Sequence, residues 1–172
     1  STFTDSRDGK TYKTVKIGNQ VWMAENLAYK PSSGNYWVNA NNHSNLAKYG
    51  YLYDWETAKK GCPTDWHLPS DVEWTELENT VGSDQGKKLK ATDGWDNKGN
   101  GTDEFGFSAL PGGYRFDFGT FRIVGSYGYL WSSTQSDATH AWLRGMNYDS
   151  GSVYRYNYYQ RHGFSVRCVR DN

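Results

Sequence analysis

The chain has 172 residues, of which 36% are hydrophobic and 17% aromatic, and its 19 lysine and arginine residues balance 19 aspartate and glutamate residues. The aromatic content excludes a disordered chain, and the length predicts one domain over residues 1–172 with a core built largely from aromatic side chains. The basic residues are scattered and no apolar run reaches membrane-spanning length, so we expect no nucleic-acid partner and no membrane insertion by this domain.

The N-terminal residues 3–23 predict a β-hairpin. Asp8-Gly9 and Gly18-Asn19 are turn signals, and apolar residues lie in the segments beside them. Residues 30–46 are rich in asparagine and serine and predict a loop.

Two short helices follow. Residues 53–60 predict the first, which Gly61 and Pro63 end. The second begins with a capping box, in which Ser70 bonds the first-turn amides and Glu73 reaches back. The residues that then fall on one helical face are Trp74, Leu77 and Val81.

Residues 82–105 predict a long ordered loop that carries a cluster of oxygen-bearing side chains: Asp93, Asp96, Asn97, Asn100, Asp103 and Glu104. Their spacing fits no EF-hand, so we expect a solvated loop and leave a structural calcium ion as the alternative. The four histidines are too dispersed to indicate zinc, and no cofactor is expected.

From Phe107 onward the sequence predicts short strands joined by turns. The last strand is expected to be half-buried, because Phe164, Val166 and Cys168 alternate with Ser165 and Arg167. The order of elements indicates an α+β fold with mixed or antiparallel sheets and long ordered loops.

Residues 154–162, just before that strand, are the candidate ligand-binding surface. They consist almost entirely of tyrosine, asparagine and arginine, which combine large rigid rings with polar tips and guanidinium groups. The residues expected to contact a ligand are Tyr154, Arg155, Tyr156, Tyr158, Tyr159 and Arg161. The alternative is a solvated, tyrosine-rich sheet edge.

Further residues extend this surface in the prediction. Trp142 and Arg144 are two residues apart on one predicted strand, so both side chains should face the same side of the sheet. The alternative is that Trp142 packs in the core and Arg144 is solvated. Tyr148, with Tyr127 and Tyr129, is also a candidate. Tyr114 and Arg115 begin an aromatic loop that forms either a second lip of the site or an aromatic cluster beneath the loop.

Five tryptophans are expected in the core: Trp22, Trp55, Trp66, Trp74 and Trp131. The two cysteines, Cys62 and Cys168, form either a pair of buried thiols or one disulfide, and the residues alone leave both readings open. No Ser-His-Asp order, paired carboxylates or phosphate loop is present, so no catalytic residue is predicted.

Several long motifs resemble one family. They are Asp8-Gly9-Lys10-Thr11-Tyr12, Ile17-Gly18-Asn19-Gln20-Val21-Trp22-Met23-Ala24-Glu25-Asn26-Leu27, Trp66-His67-Leu68-Pro69-Ser70, Gly106-Phe107-Ser108-Ala109-Leu110-Pro111-Gly112-Gly113-Tyr114-Arg115, Leu130-Trp131-Ser132-Ser133-Thr134 and Gly163-Phe164-Ser165-Val166-Arg167-Cys168-Val169. Together they resemble the Fibrobacter succinogenes major paralogous domain over nearly the whole chain.

The resemblance implies a C-type-lectin-like fold, closest to the branch of formylglycine-generating enzymes. It favours a Cys62–Cys168 disulfide, because lectins commonly join a helix start to the last strand in this way. It also implies an extracellular or cell-surface location in a bacterium.

The function expected on these grounds is non-enzymatic binding of a glycan or a surface protein. One alternative is a variable protein of a diversity-generating retroelement, which binds proteins through residues about 142–162. The other is an oxidase similar to formylglycine-generating enzymes, which would need a reactive cysteine pair. Oligomeric state and ligand identity are not predicted.

Overall fold

The computed structural model describes residues 1–172, which form twelve short strands and four short helices. The strands are β1 Thr2–Thr4, β2 Thr11–Ile17, β3 Gln20–Met23, β4 Tyr36–Trp37, β5 Leu52–Tyr53, β6 Trp66–His67, β7 Tyr114–Arg115, β8 Phe121–Arg122, β9 Tyr127–Gln135, β10 His140–Asn147, β11 Tyr154–Tyr159 and β12 Val169–Arg170. The helices are α1 Leu46–Tyr49, α2 Trp55–Ala58, α3 Asp71–Val81 and α4 Gln85–Leu89.

The largest sheet joins the two ends of the chain. Its five strands run in the order β1-β2-β3-β12-β6, and every neighbouring pair is antiparallel. The predicted N-terminal hairpin is confirmed and gains a third strand. Gly9 and Gly18 have φ angles of 77° and 61°, which glycine adopts without a steric penalty, so these turns require the residues that the sequence supplies.

A second, three-stranded antiparallel sheet carries the predicted ligand-binding residues. Its order is β11-β10-β9, so β11 lies at an edge. Helix α3 packs against one face of this sheet, where Trp74 Nε1 donates a hydrogen bond to the carbonyl of Trp131. Two small antiparallel pairs, β4–β5 and β7–β8, complete the mixed α+β architecture.

The segment 163–168 runs through the middle of the molecule rather than along one half-buried strand. Gly163, Phe164 and Ser165 form single bridges to Arg115, Tyr53 and Leu130, which belong to three different sheets. Ser165 and Arg167 are therefore buried as fully as the apolar residues between them. The predicted alternation of buried and solvated positions is wrong here, because both sides of the segment are covered.

Arg167 is the clearest case, since its side chain is completely buried. The guanidinium donates hydrogen bonds to Asn26 Oδ1 at 2.7 Å and to the carbonyls of Met23, Phe107 and Ser108. These oxygens replace the water that the charge loses on burial.

Helix α3 forms as the sequence predicts. Ser70 Oγ accepts from the Glu73 amide at 3.1 Å, and Glu73 Oε1 accepts from the Ser70 amide at 2.9 Å, which completes the capping box. The three predicted face residues, Trp74, Leu77 and Val81, are all buried.

The other helix predictions need correction. The helix predicted over residues 53–60 is confined to α2, because the backbone of Tyr53 pairs with Phe164 and Asp54 caps the first turn. Helix α4 lies inside the predicted loop 82–105, and α1 begins at the end of the predicted loop 30–46. The fold therefore has four short helices instead of two.

The buried apolar side chains form two clusters. The larger surrounds Trp131, Phe164 and the disulfide, and the smaller packs α3 against Trp22 and Phe107. All five tryptophans expected in the core are buried, as predicted.

A disulfide joins Cys62 to Cys168 across 106 residues, with a Cα–Cα distance of 5.9 Å. It connects the segment after α2 to the start of β12. Of the two states that the residues alone allow, the structure has the bridge that the family resemblance favours, and no free cysteine remains.

Candidate functional site

The register of the three-stranded sheet sorts the predicted ligand-binding residues onto two opposite faces. Tyr154, Tyr156 and Tyr158 of β11 stand opposite Gly145, Leu143 and Ala141 of β10 and point to one face. The alternate residues, which include Arg155 and Tyr159, point to the other face, towards α3 and the β9–β10 turn. The predicted residues therefore do not form one continuous surface.

We call Tyr154, Tyr156 and Tyr158 the tyrosine row. Their rings follow one another along the edge strand, with centroids 5.7 Å and 6.0 Å apart, and each side chain is half-buried. Ser150 Oγ lies 2.8 Å from the Tyr154 hydroxyl and fixes the first ring from the β10–β11 turn. The row is thus an ordered strip of partly exposed aromatic surface.

Buried aromatic rings support the row from behind. Tyr129 packs against Tyr156 and Tyr158 at centroid distances of 5.5 Å and 6.3 Å, and Tyr114 stacks on Tyr129 at 4.8 Å with nearly parallel planes. Tyr114, predicted as a possible lip of the site, is instead buried, as in the alternative prediction of an aromatic cluster beneath the loop.

His162 ends the row. Its ring stacks on Tyr158 at 5.6 Å and lies 5.9 Å from Tyr159, and only 4% of the residue is exposed. Burial lowers the pKa of His162, an effect that Asp117, 3.7 Å from its Nδ1, only partly opposes. The imidazole is therefore neutral at neutral pH, and its Nδ1 has no hydrogen-bond partner.

Tyr158 of the row and the two tyrosines behind it, Tyr129 and Tyr114, remain uncharged at neutral pH. Burial is the main cause that raises the pKa of Tyr158 and of Tyr129, and neighbouring tyrosine hydroxyls add to it. Burial likewise raises the pKa of Tyr114, against the influence of Arg122. The Tyr158 hydroxyl of the row is therefore neutral and can both donate and accept hydrogen bonds.

The opposite face of the sheet is an ion-pair network. Asp71 accepts hydrogen bonds from Arg144 at 2.6 Å and from Arg155 at 2.9 Å, and Arg144 also pairs with Glu78 at 2.8 Å. Burial disfavours the Asp71 carboxylate, but the hydrogen bonds from Arg155 and Arg144 outweigh it and lower the pKa of Asp71. The guanidinium of Arg155 also covers the Trp142 ring.

Arg144 consequently does not line a ligand surface. It is 1% exposed, and its donors are engaged by Asp71, Glu78 and Thr75. Trp142 and Arg144 do face the same side of the sheet, as predicted. That side packs against α3 and carries the ion-pair network.

The remaining predicted residues lie at the margins. Tyr159 and Arg161 are exposed at the end of β11, whereas Tyr148 is half-buried beside Tyr127. Arg115 is half-buried with its guanidinium 4.1 Å from the Trp37 ring centre.

The acidic loop 93–104 braces neighbouring segments. Asp103 accepts from the amide and hydroxyl of Ser108, and Asp96 accepts from the Ser126 hydroxyl at 2.8 Å. No three histidine, cysteine, aspartate or glutamate side chains lie close enough together to hold a metal ion.

His162 and Phe116 lie in the two segments predicted for the site, although neither was named among the residues expected to contact a ligand. Phe116 packs edge-on against His162 at 5.6 Å and joins the β7–β8 hairpin to the end of the row. The signals in the sequence were the place of His162 shortly after the tyrosines and the aromatic loop 114–118, which was predicted as one possible lip of the site.

Taken together, the chain is a mixed α+β protein with an ordered aromatic strip on an edge strand. Residues 15–170 match the family model of the Fibrobacter succinogenes major domain. Because the match covers nearly the whole chain, the protein belongs to this family, as its motifs predicted. No curated protein and no solved structure matches the chain. None of its helices is long and apolar enough to cross a membrane.

Proposed function

We propose that this chain is a ligand-binding module that holds a glycan or a protein surface against the tyrosine row. The observation that carries the proposal is the row itself, three partly exposed rings fixed side by side on an edge strand. Contiguous exposed aromatic surface usually marks an interaction site. Here the buried rings of Tyr129 and Tyr114 hold it in place before any ligand arrives.

The tyrosine row suits a ligand that is neutral and carries hydroxyl groups, or a protein surface that combines apolar and polar groups. Aromatic rings stack on the apolar faces of sugar rings or on apolar protein patches, and tyrosine hydroxyls supply directional hydrogen bonds. Little side-chain entropy is lost on binding, because the rings are already packed. Affinity for one module is expected to be modest, with several copies on a cell surface adding avidity.

The fold proposed for this module is the C-type-lectin-like fold. Three features support it: β3 pairs with β12 and so joins the two ends of the chain, a separate three-stranded sheet lies beside them, and a disulfide ties the region after α2 to the last strand. The disulfide also supports an extracellular or cell-surface location, because such bonds persist in oxidising compartments.

A non-enzymatic role is part of the proposal. An oxidase of the formylglycine-generating type would need reactive thiols, and in this chain both cysteines are joined to each other. Free-thiol titration of the native protein tests this reading, since a titratable pair together with oxidase turnover would contradict it.

A screen of glycans and plant polysaccharides tests the main proposal. The variant carries Tyr156→Ala and Tyr158→Ala, and the matched control is Tyr36→Ala, which removes a half-buried tyrosine from β4, outside the row. We expect binding by the wild type and the control, and its loss in the double variant with unchanged far-ultraviolet circular dichroism. Binding that survives in a folded double variant would remove the row from the site.

A protein ligand is the second candidate. It is favoured by the exposed positions Asn157, Tyr159 and Arg161, which can change without disturbing the core. This is the arrangement expected of a variable protein diversified over residues about 142–162. A template repeat beside the gene that differs at adenines would support it, and a folded wild type that binds no glycan would direct attention there.

A further inference from the structure

A cleft lies where three segments meet at the end of β11. It measures about 340 Å³ and is lined by Asp117, Ala138, Thr139, Tyr159, Gln160 and Arg161. This volume is near the lower end of the range of small-ligand sites, roughly 300–1,000 Å³.

Backbone hydrogen bonds fix the walls of this cleft. The Gln160 amide donates to the Thr139 carbonyl at 2.8 Å, which joins the β9–β10 turn to the end of β11. Arg115 and Gly163 exchange two hydrogen bonds of 2.8 and 2.9 Å, which hold the β7–β8 hairpin and its Asp117 against the same end. The cleft is therefore formed before a ligand binds.

The charged groups in the cleft form no hydrogen bonds within the protein, and the nearest partner of Asp117 is the His162 ring at 3.7 Å. The guanidinium of Arg161 makes no hydrogen bond, ion pair or aromatic contact, and the Asp117 carboxylate accepts no hydrogen bond. Arg144 and Arg155, by contrast, are both held in ion pairs. Both groups are exposed, so the cleft offers one cation and one carboxylate to a ligand that can engage both.

Neutral polar groups and one ring complete the lining. Gln160 uses its amide nitrogen to bond the His140 carbonyl at 3.1 Å, which leaves its Oε1 free to accept. The Tyr159 ring is supported by His140 at a centroid distance of 4.3 Å and is 50% exposed. A ring supported on one side and open to solvent is a platform for stacking.

We propose that this cleft binds a carboxylated sugar, a hexuronate residue of an acidic glycan. Arg161 pairs with the sugar carboxylate through two parallel hydrogen bonds, while Asp117 and the Gln160 Oε1 accept hydrogen bonds from sugar hydroxyls. Tyr159 stacks on the pyranose ring. The inference rests on the proposed function and names its ligand class.

The chemistry of the lining separates this ligand from related ones. A neutral sugar would leave the Arg161 charge unpaired, and a phosphate dianion would meet the Asp117 carboxylate. A hexuronate carries a single negative charge together with several hydroxyl donors, and so satisfies both groups.

The buried His162 separates the cleft from the tyrosine row. His162 contacts Tyr159 on the cleft side and stacks on Tyr158 at the end of the row. The cleft and the row are therefore adjacent at the end of β11 but lie on different faces of the sheet.

Isothermal titration with short oligogalacturonides and their methyl esters tests the inference, because esterification removes the charge and keeps the ring. We expect the ester to bind at least tenfold more weakly than the acid. Arg161→Gln should cause the same loss for the acid and little change for the ester. Arg170→Gln, an exposed arginine on the five-stranded sheet, is the matched control and should bind like the wild type.

The possible failures are distinguishable. Equal binding of acid and ester that is unaffected by Arg161→Gln, yet lost with the Tyr156 and Tyr158 substitutions, would overturn the hexuronate inference and leave the proposed function standing. Binding of a free zwitterionic amino acid at Arg161 in place of the oligomer would also overturn it. Absence of any glycan or protein binding by the folded wild type would defeat the proposed function and this inference together.

Discussion

The guanidinium carbon of Arg155 lies 3.4 Å from the centre of the Trp142 ring, on the face of the sheet opposite the tyrosine row. The same guanidinium donates to both carboxylate oxygens of Asp71, at the first residue of α3. Strand β11 pairs with β10 only, at the edge of the sheet. The contacts of Arg155 with Asp71 therefore also attach β11 to α3. The geometry of the tyrosine row therefore depends on Arg155, Trp142 and Asp71, which a ligand bound to the row would not contact.

Replacing Asp71 with alanine should destabilise the protein substantially. The change leaves the buried Arg144 with Glu78 as its only carboxylate partner and removes the main partner of Arg155. We expect a loss of about 2–3 kcal/mol in the free energy of unfolding, measured by urea denaturation. Arg155→Ala, which removes the exposed partner, should cost under about 1 kcal/mol. Equal losses of stability in Asp71→Ala and Arg155→Ala would contradict the expectation that the buried Arg144–Asp71 pair matters more than the exposed Arg155.

Gly145→Ala should disturb the tyrosine row from within. An added Cβ would lie 2.8 Å from ring atoms of both Tyr129 and Tyr156, so the rings must move. We expect weaker ligand binding, an altered near-ultraviolet circular dichroism spectrum and a stability loss of about 1–3 kcal/mol. The matched control is Gly151→Ala, where the nearest atom is 3.7 Å away. An unchanged spectrum in Gly145→Ala would show that the row adapts freely.

The disulfide should contribute much of the stability. It closes a segment of 106 residues, and the chain-entropy model assigns such a crosslink roughly 4–5 kcal/mol. We expect the Cys62→Ala/Cys168→Ala variant to unfold at a much lower urea concentration than the oxidised wild type. Because Cys168 is fully buried, reductant should act slowly on the native protein and quickly in urea. Coincident unfolding curves for the variant and the wild type would contradict the prediction.

His67 should make stability depend on pH. Its Nε2 faces Glu73 at 2.8 Å and its Nδ1 faces Asp171 at 2.5 Å. Partial burial disfavours the charged ring, but the hydrogen bonds with Asp171 and Glu73 outweigh it and raise the pKa of His67. The stabilisation is therefore complete below the unfolded pKa of about 6.5 and is lost as the pH rises through the higher folded pKa.

The measurement is the difference in thermal stability between the wild type and His67→Gln as a function of pH, from below to above the unfolded histidine pKa of about 6.5. We expect the difference to be largest near pH 6 and to shrink above about pH 7. Nuclear magnetic resonance titration of the His67 ring should give the raised pKa directly. A stability difference that stays constant with pH would indicate that the histidine acts through packing alone.

Local patterns predicted the elements that depend on neighbouring residues. The capping box of Ser70 and Glu73 fixed the start of α3, and Gly9 and Gly18 fixed the N-terminal turns. In each of these cases the interaction partners lie within a few residues of one another. The disulfide needed the family resemblance, because 106 residues separate its cysteines.

Features that depend on distant segments escaped prediction. Arg167 looks like a solvated strand residue until Met23, Phe107 and Ser108 supply carbonyl oxygens from elsewhere in the chain. Arg144 had the correct parity, but the sequence contained no sign that Asp71 would lie opposite it. The tyrosine-rich segment was recognisable by composition, whereas its division between two faces required the register with β10.

Between His162 and Gly163 the chain changes from a partly exposed segment to a fully buried one, and we expect its tolerance of substitutions to change there. Before this point, Asn157, Tyr159 and Arg161 are exposed, and after it every residue from Gly163 to Val169 is buried. If the proposed function holds, the residues that contact the ligand and the residues that form the core are neighbours in the sequence. Substitutions at the exposed positions before Gly163 should therefore alter the surface and leave the core unchanged, whereas substitutions from Gly163 to Val169 should destabilise the fold.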